Sequence, residues 1–149
     1  MQVLLAKKGD RAGIVRLLLE DFFDSKKEAE KCFLENLKKK QVWVLEDKKV
    51  ILGVFAYTRA YSHEANYLEY IAVDKKYRGN GLSKKLLERY IRVSKKEQSA
   101  KQRFVLSSTK CSNLVSIRMH LDFGFKQMGV LKKLHYGEDE IIFAYPLRK

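Results

Sequence analysis

Residues 67–87 read YLEYIAVDKKYRGNGLSKKLL and contain, in order, a β-rich run, a basic loop with two glycines and the start of a helix. The run from Tyr67 to Val73 is rich in aromatic and β-branched side chains, which favours a strand. Apolar residues recur after the loop at helical spacing, at Leu82, Leu86, Leu87, Tyr90 and Ile91. The strand, the loop and the helix are therefore predicted as one connected segment.

The loop at residues 74–81 has the composition of an anion-binding turn. Backbone N–H groups at a helix N-terminus, together with the helix dipole, favour a bound phosphate, and glycine lets a ligand approach the backbone closely. Arg78, Lys84 and Lys85 add positive charge. A turn followed by a helix cap would explain the same glycines without a ligand, so the residues alone leave both interpretations open. The loop is not a P-loop, and Lys84 stands where a dinucleotide-binding Gly-x-Gly-x-x-Gly has its third glycine.

Helices are also predicted on both sides of this segment. One begins after Asp10, whose side chain is a good N-cap, and a second begins at Ser25. The apolar face of the second helix comprises Ala29, Phe33 and Leu37. A later helix begins at Ser112 or Asn113 and ends near Gly124.

The remaining elements are strands. They are predicted at residues 3–7, 41–45, 50–57, 67–73, 104–106, 125–130 and 140–145. The order β-α-α-β-β-β-α-β-α-β-β lacks strict βαβ repetition, which indicates an α/β fold with a mixed sheet covered by helices. No linker or change of composition marks a second domain, so residues 1–149 are predicted to form a single domain.

The chain is strongly basic. Its 149 residues carry 31 Lys and Arg against 18 Asp and Glu, a formal net charge of +13 at pH 7. Such a balance fits an anionic partner, either nucleic acid or a polyphosphate cofactor. The lysines are spread along the whole chain, as on an ordinary solvated surface, so charge alone does not choose between these interpretations.

Hydropathy and cysteine usage limit the class of protein. No apolar run approaches the ~20 residues of a membrane span, and the early charges at Lys7 and Lys8 argue against a signal peptide. Cys32 and Cys111 are far apart and lack metal-ligand spacing. We therefore expect reduced cysteines in a cytoplasmic protein with no metal and no membrane partner, with a reactive Cys111 as the alternative.

The central segment resembles the acetyl-coenzyme A segment of the GNAT superfamily of N-acetyltransferases. The similar residues are 71–83, IAVDKKYRGNGLS, and the family pattern is Gln/Arg-x-x-Gly-x-Gly/Ala. Arg78-x-x-Gly81-x-Ser83 matches that pattern with serine in the last place. Read two residues earlier, the pattern is matched with Lys76 in the first place. In either register one position departs from the family pattern. In the first register the departure is Ser83, whose side chain is still small.

A second segment, NLVSIRMHLDFGF at residues 113–125, resembles the family's Asn-x-x-Ala-x-x-x-Tyr-x-x-x-Gly-Phe. The two segments have the family's order and separation, and the predicted elements resemble the GNAT fold across nearly the full chain. The resemblance implies a mixed, mostly antiparallel central sheet with splayed central strands and flanking helices. It also implies that acetyl-coenzyme A lies between the strand ending at Val73 and the strand beginning near Phe104.

The resemblance further implies which residues hold this cofactor. Backbone groups at the end of the strand would bind the pantetheine arm, and one N–H would polarise the thioester carbonyl. Backbone N–H groups of the glycine loop would hold the pyrophosphate, while Asn113 would contact the cofactor or cap its helix. The implied cofactor-binding residues are Ile71, Ala72, Val73, Arg78, Gly79, Asn80, Gly81, Leu82, Ser83, Lys84 and Asn113.

Glu69 is the leading candidate for a catalytic base. It lies four residues before Val73, so both side chains point to the same face of the strand. A carboxylate in an otherwise apolar strand could accept a proton from the attacking amine, directly or through a water. It could instead contact a cationic substrate, or be a rim carboxylate paired with Lys or Arg. Glu64 is a weaker candidate.

His120 is the candidate for the acid. The resemblance places it where many family members have a tyrosine that protonates the departing thiolate. With a pKa near 6.5, only a minority of such a side chain is protonated at pH 7. The alternatives are that His120 lines the cofactor channel or is a buried histidine with satisfied hydrogen bonds, in which case tyrosines or water would donate the proton.

The resemblance implies an N-acetyltransferase that moves the acetyl group of acetyl-coenzyme A to a primary amine by direct attack in a ternary complex. The amine would belong to a small molecule or a protein, and no pattern identifies it. In this fold the substrate pocket would involve residues 22–35 and 131–140. There Glu138, Asp139 and Glu140 would attract a cationic amine or cap a turn.

The alternative class is a non-catalytic basic module with a GNAT-like fold that contacts nucleic acid. Its binding would depend steeply on salt. No predicted helix carries a basic stripe interleaved with aromatic residues, which disfavours a nucleic-acid partner. A homodimer formed through edge strands is left open.

Overall fold

The computed structural model of the chain describes residues 1–62, 65–97 and 102–148. Over these residues the elements follow the predicted order, which is thereby confirmed. The helices are α1 (Arg11–Asp21), α2 (Lys26–Lys38), α3 (Leu82–Glu97) and α4 (Leu114–Phe123), with 3-10 turns at Lys8–Asp10 and Lys75–Tyr77. The strands are β1 (Gln2–Leu5), β2 (Val42–Asp47), β3 (Val50–Ser62), β4 (Ala65–Val73), β5 (Phe104–Lys110), β6 (Lys126–His135) and β7 (Glu138–Pro146).

The strands form one sheet, in the order β1-β2-β3-β4-β5-β7-β6 over the described residues. β4 and β5 run parallel, with Tyr67 opposite Leu106 and Leu68 opposite Ser107. The pairs β1–β2, β2–β3, β5–β7 and β6–β7 are antiparallel. The expectation of a mixed, mostly antiparallel sheet is confirmed.

The β6–β7 hairpin is longer than predicted. β6 is predicted to end at Val130 but continues to His135, which pairs with Glu138. Tyr136 and Gly137 form the turn with φ of 49° and 89°. Two-residue turns with positive φ match the twist of the flanking strands, so His135 and Glu138 pair directly beside the turn, beyond a register shift between Leu131 and His135.

The described residues group into two compact units. The first comprises Met1–Thr58 and Glu69–Tyr90. Its core contains apolar side chains from α1, α2 and the strands, including Ile14, Leu17, Leu18, Ala29, Phe33, Val42, Val44, Val54, Ala56 and Ala72. Full burial of a large apolar side chain contributes roughly 1.5–3 kcal/mol. These contacts therefore fix α1 and α2 against the sheet of this unit.

One of the two predicted helix caps in this unit is confirmed. The Ser25 hydroxyl accepts a hydrogen bond from the backbone N–H of Glu28 at 3.4 Å and caps α2. Asp10 precedes α1 but makes no capping hydrogen bond with its side chain, so that expectation is wrong. Asp10 has helical dihedrals (φ −83°, ψ −2°), whereas a capping residue is normally extended. Its carboxylate accepts instead from the N–H of Lys7 at 2.7 Å.

The second unit comprises Arg59–Leu68 and Ile91–Lys149. Its centre is the antiparallel set β5, β7 and β6, together with α4. The helix ends at Gly124, whose φ of 111° suits a residue without a side chain, as the sequence predicts. No helix in the described stretches is long and apolar enough to cross a membrane.

Candidate active site

The loop after β4 is anchored by Asp74. Its Oδ1 accepts from the backbone N–H of Lys76 at 2.9 Å, and its Oδ2 accepts from the Arg16 guanidinium at 2.7 Å. The Lys76 N–H and the Arg16 guanidinium together hold the pKa of Asp74 below its usual value, although burial opposes them. The start of the loop is thus tied to α1 of the same unit by an ionised carboxylate.

The two glycines of the loop adopt left-handed backbone conformations directly before α3. Gly79 has φ +80° and Gly81 has φ +71°, a region that side chains other than glycine disfavour. A Cβ atom at either position would meet open space, so the dihedral angle, and not crowding, requires glycine. The predicted strand, glycine turn and helix start are confirmed as local structure.

Two polar side chains brace this loop from within. Arg78 Nε donates to the backbone carbonyl of Val73 at 2.9 Å, and its Nη2 donates to Asp21 Oδ2 at 2.6 Å. Asn80 Nδ2 donates to the carbonyls of Tyr77 and Arg78 at 3.1 and 3.3 Å. The guanidinium of Arg78 therefore already has a carboxylate partner, and in this loop it acts as a structural brace.

The Glu69 carboxylate is held by neutral donors. The Thr58 hydroxyl of β3 donates to Oε1, and Asn36 Nδ2 of α2 donates to Oε2 at 3.3 Å. Among the described residues, no Lys or Arg forms an ion pair with Glu69. Of the three interpretations left by the sequence, the structure disfavours the paired rim carboxylate.

Asn36 and Tyr70 form a buried polar pair next to Glu69. Asn36 Nδ2 lies 3.3 Å from Tyr70 Oη, and burial raises the pKa of Tyr70 above its usual value. Burial, with Glu69 and Glu35 nearby, raises the pKa of the Cys32 thiol to about 11. The spacing of Asn36, three residues after the core residue Phe33, places it on the buried face of α2, but nothing in the sequence indicates its contact with Glu69.

His120 is buried in the second unit, with an exposed fraction of 1%. Its Nδ1 lies 2.7 Å from the backbone carbonyl of Ser116, which can only accept, so Nδ1 carries the proton. Its Nε2 then accepts from the Ser107 hydroxyl at 2.7 Å. The ring stacks on Phe143 with 4.6 Å between centroids and an 8° interplanar angle.

Burial lowers the pKa of His120, against the opposing effect of the Ser116 carbonyl. The ring is therefore neutral at pH 7 and has a partner at each nitrogen. This environment favours a buried histidine with satisfied hydrogen bonds over an imidazolium that donates a proton to the departing thiolate.

Asn113 caps α4. Its Oδ1 accepts from the backbone N–H of Ser116 at 3.1 Å, which is the capping role that the sequence left open.

The predicted site residues fall in both units. Positions 69, 71–73 and 78–84 belong to the first unit, whereas Asn113 and His120 belong to the second. Glu64 lies outside the described residues.

The second unit contains a chain of polar side chains that the sequence does not predict. Ser108 of β5 donates to Glu140 Oε1 of β7 at 2.6 Å, and its oxygen lies 2.6 Å from Tyr67 Oη of β4. Because the Ser108 proton is directed to Glu140, Tyr67 is the donor in the second contact. Glu140 is 7% exposed, and its Oε2 lies 2.9 Å from His135 Nδ1 without a hydrogen bond. No sequence spacing links these residues, because strand pairing brings them together.

The other acidic residues of the hairpin organise its turn. Glu138 accepts from the Ser112 hydroxyl at 2.7 Å and pairs with Lys110 at 3.4 Å, and both contacts lower its pKa. Asp139 pairs with Lys132 at 2.9 Å and accepts from the N–H of Lys133 at 3.0 Å. Of the two sequence interpretations, these contacts support the turn cap. Among the described residues, no cluster of His, Cys, Asp and Glu could hold a metal ion.

The fold of the chain as a whole is similar to those of solved acetyltransferase structures. A GNAT-family acetyltransferase from Bacillus cereus ATCC 10987 superposes with a TM-score of 0.82 at 20% identity, covering 99% of this chain and 98% of that chain. The ribosomal-protein-S18-alanine N-acetyltransferase from Escherichia coli gives 0.80 at 21% identity, covering 99% and 94%. A spermidine N-acetyltransferase chimera from Vibrio cholerae and hSSAT gives 0.80 at 16% identity, covering 99% and 97%.

These likenesses define the class of the fold, which is that of small acetyltransferases. The sequence itself matches the family model of the acetyltransferase (GNAT) family over residues 11–125. The chain therefore belongs to the GNAT acetyltransferase family. A comparison with curated protein sequences found no match.

Proposed function

We propose that this GNAT-family chain transfers the acetyl group of acetyl-coenzyme A to a primary amine. The observation that carries the proposal is the loop before α3, where Gly79 and Gly81 adopt left-handed conformations and face open space. Backbone N–H groups at a helix N-terminus suit a pyrophosphate. The free thiols Cys32 and Cys111 fit the proposed cytoplasmic location.

Backbone groups make most of the contacts with the acetyl donor, acetyl-coenzyme A. The N–H groups of residues 79–84 hold the pyrophosphate, with Lys84 supplying positive charge, while Arg78 braces the loop through Asp21. Backbone groups of residues 71–73 bind the pantetheine arm. One of their N–H groups donates to the thioester oxygen, where negative charge develops as the amine attacks.

On the acceptor side, the amine must lose a proton. Neutralising a lysine-like ammonium at pH 7 costs roughly 4–5 kcal/mol, and an α-amino group about 1 kcal/mol. Glu69 accepts this proton, directly or through one water. The neutral amine attacks the thioester carbon, the nitrogen then gives its extra proton to water, and collapse of the tetrahedral intermediate expels the thiolate and leaves the amide. Because His120 is neutral and enclosed, a water or a tyrosine supplies the proton to the thiolate, and Asn113 acts through its cap of α4.

The acceptor class is tested with an amine panel. The similar E. coli enzyme and the similar chimera of V. cholerae and hSSAT are named for a ribosomal-protein alanine and for spermidine. The panel should therefore contain peptides with a free α-amino group, polyamines and lysine-containing peptides. Release of free thiol from acetyl-coenzyme A that depends on one of these amines supports the proposal. Release that no amine accelerates would overturn it.

A further inference from the structure

Two side chains from two different elements hold the proposed base, and neither belongs to the sequence motifs. We propose that Asn36 of α2 and Thr58 of β3 are positioning residues that fix the Glu69 carboxylate for the incoming amine. The inference rests on the proposed function, because it assigns these residues to the same acceptor site.

Asn36 is an unusual residue for its position. It is 4% exposed, and α2 buries Ala29 and Phe33 completely on the same side. An apolar side chain would pack there at no polar cost, whereas a buried amide left without partners costs about 1–3 kcal/mol. Asn36 instead directs its Nδ2 group to Glu69 Oε2 and Tyr70 Oη, both at 3.3 Å.

Thr58 completes the arrangement from the neighbouring strand. Its hydroxyl donates to Oε1, so each carboxylate oxygen of Glu69 has one donor. A glutamate side chain otherwise loses about 1.5–2 kcal/mol of rotamer entropy when it is ordered. Holding it in advance removes this cost from the reaction, and an ionised carboxylate still has lone pairs for an amine N–H.

The two donors are uncharged, which matters for the substrate. They orient Glu69 without neutralising it. The Cys32 thiol of α2 lies near both Glu69 and Glu35, and its raised pKa, about 11, keeps this thiol neutral at pH 7. The site is therefore organised for a cationic amine that arrives as an ammonium ion.

The test is a double-mutant cycle, measured as steady-state acetyl transfer with the best amine of the panel. Thr58→Val removes the hydroxyl while keeping the shape, and we expect kcat to fall about tenfold with the KM for acetyl-coenzyme A unchanged. Thr58→Ser restores the donor and should recover kcat to within about twofold. In a Glu69→Gln background, Thr58→Val should cause no further loss.

Three outcomes separate the inference from the function it rests on. Multiplicative losses in the double variant, or a Thr58→Ser enzyme as slow as Thr58→Val, would show that Thr58 acts independently of Glu69 and would overturn the positioning role. Full turnover by Glu69→Gln would show that Glu69 is not the base, and the positioning role of Asn36 and Thr58 would then be wrong as well. Asn36→Leu is tested in the same double-mutant cycle with Glu69→Gln, after its melting temperature has shown that the variant is folded. Absence of transfer to every amine would instead overturn the proposed function.

Discussion

The Ser107 hydroxyl lies 2.7 Å from Nε2 of His120 and donates its proton to a ring that is 1% exposed. With Nδ1 bound to the Ser116 carbonyl, both nitrogens have partners inside the second unit. These contacts hold His120 as a neutral, buried ring, which has a measurable consequence for stability.

We expect the protein to lose stability in mildly acidic solution because of His120. Burial lowers its pKa in the folded state, so the unfolded chain binds more protons once the pH falls below about 6.5. The contribution of the neutral His120 ring to the free energy of unfolding is complete above that pH and decreases below it. Thermal unfolding between about pH 7.5 and about pH 5.5 should show this loss, and His120→Gln should reduce the slope. An unchanged slope with a large loss of turnover would favour a proton-donor role instead.

Gly81 should be intolerant of a side chain for conformational reasons. Gly81→Ala places a Cβ in open space at φ +71°, and the left-handed conformation costs about 1–2 kcal/mol for such a residue. If the loop shifts to relieve this cost, the dissociation constant for coenzyme A should rise about three- to tenfold in calorimetric titration. Gly9→Ala is the control, because Gly9 also meets open space but lacks a positive φ. Equal behaviour of the two variants would contradict the role of the turn.

Asp74 should stabilise the fold through its charge. Asp74→Asn removes the carboxylate that accepts from Arg16 and Lys76, and we expect a loss of about 1–3 kcal/mol in urea unfolding at pH 7. The folded-state pKa is lowered, so this contribution exists above the unfolded value of about 3.9 and is lost as the pH falls further. The difference between wild type and variant should therefore shrink near about pH 3. Asp122→Asn, at an exposed ion pair with Arg118, should cost little.

Local chemistry made much of this fold predictable. The cap at Ser25, the glycine at Gly124 and the apolar spacing in α3 each act within a few residues, so a single sequence reveals them. The glycine turn at Gly79 and Gly81 is readable for the same reason.

Contacts between segments that are distant in the chain could not be predicted from the sequence. Asn36 meets Glu69 across 33 positions, and Ser108 meets Glu140 across 32. Helix packing and strand pairing create these contacts, and neither leaves a spacing in the chain. The sequence left the role of His120 open for a related reason, since the ring of Phe143 that stacks on it comes from the distant strand β7.

Binding of acetyl-coenzyme A at the loop before α3 can be measured by thermal unfolding of the protein with and without this ligand. With micromolar affinity, ligand at 100 times its dissociation constant should stabilise the fold by about 2.7 kcal/mol, and Gly81→Ala should need more ligand for the same shift. A melting temperature that neither acetyl-coenzyme A nor coenzyme A raises, at any concentration up to millimolar, would contradict the account.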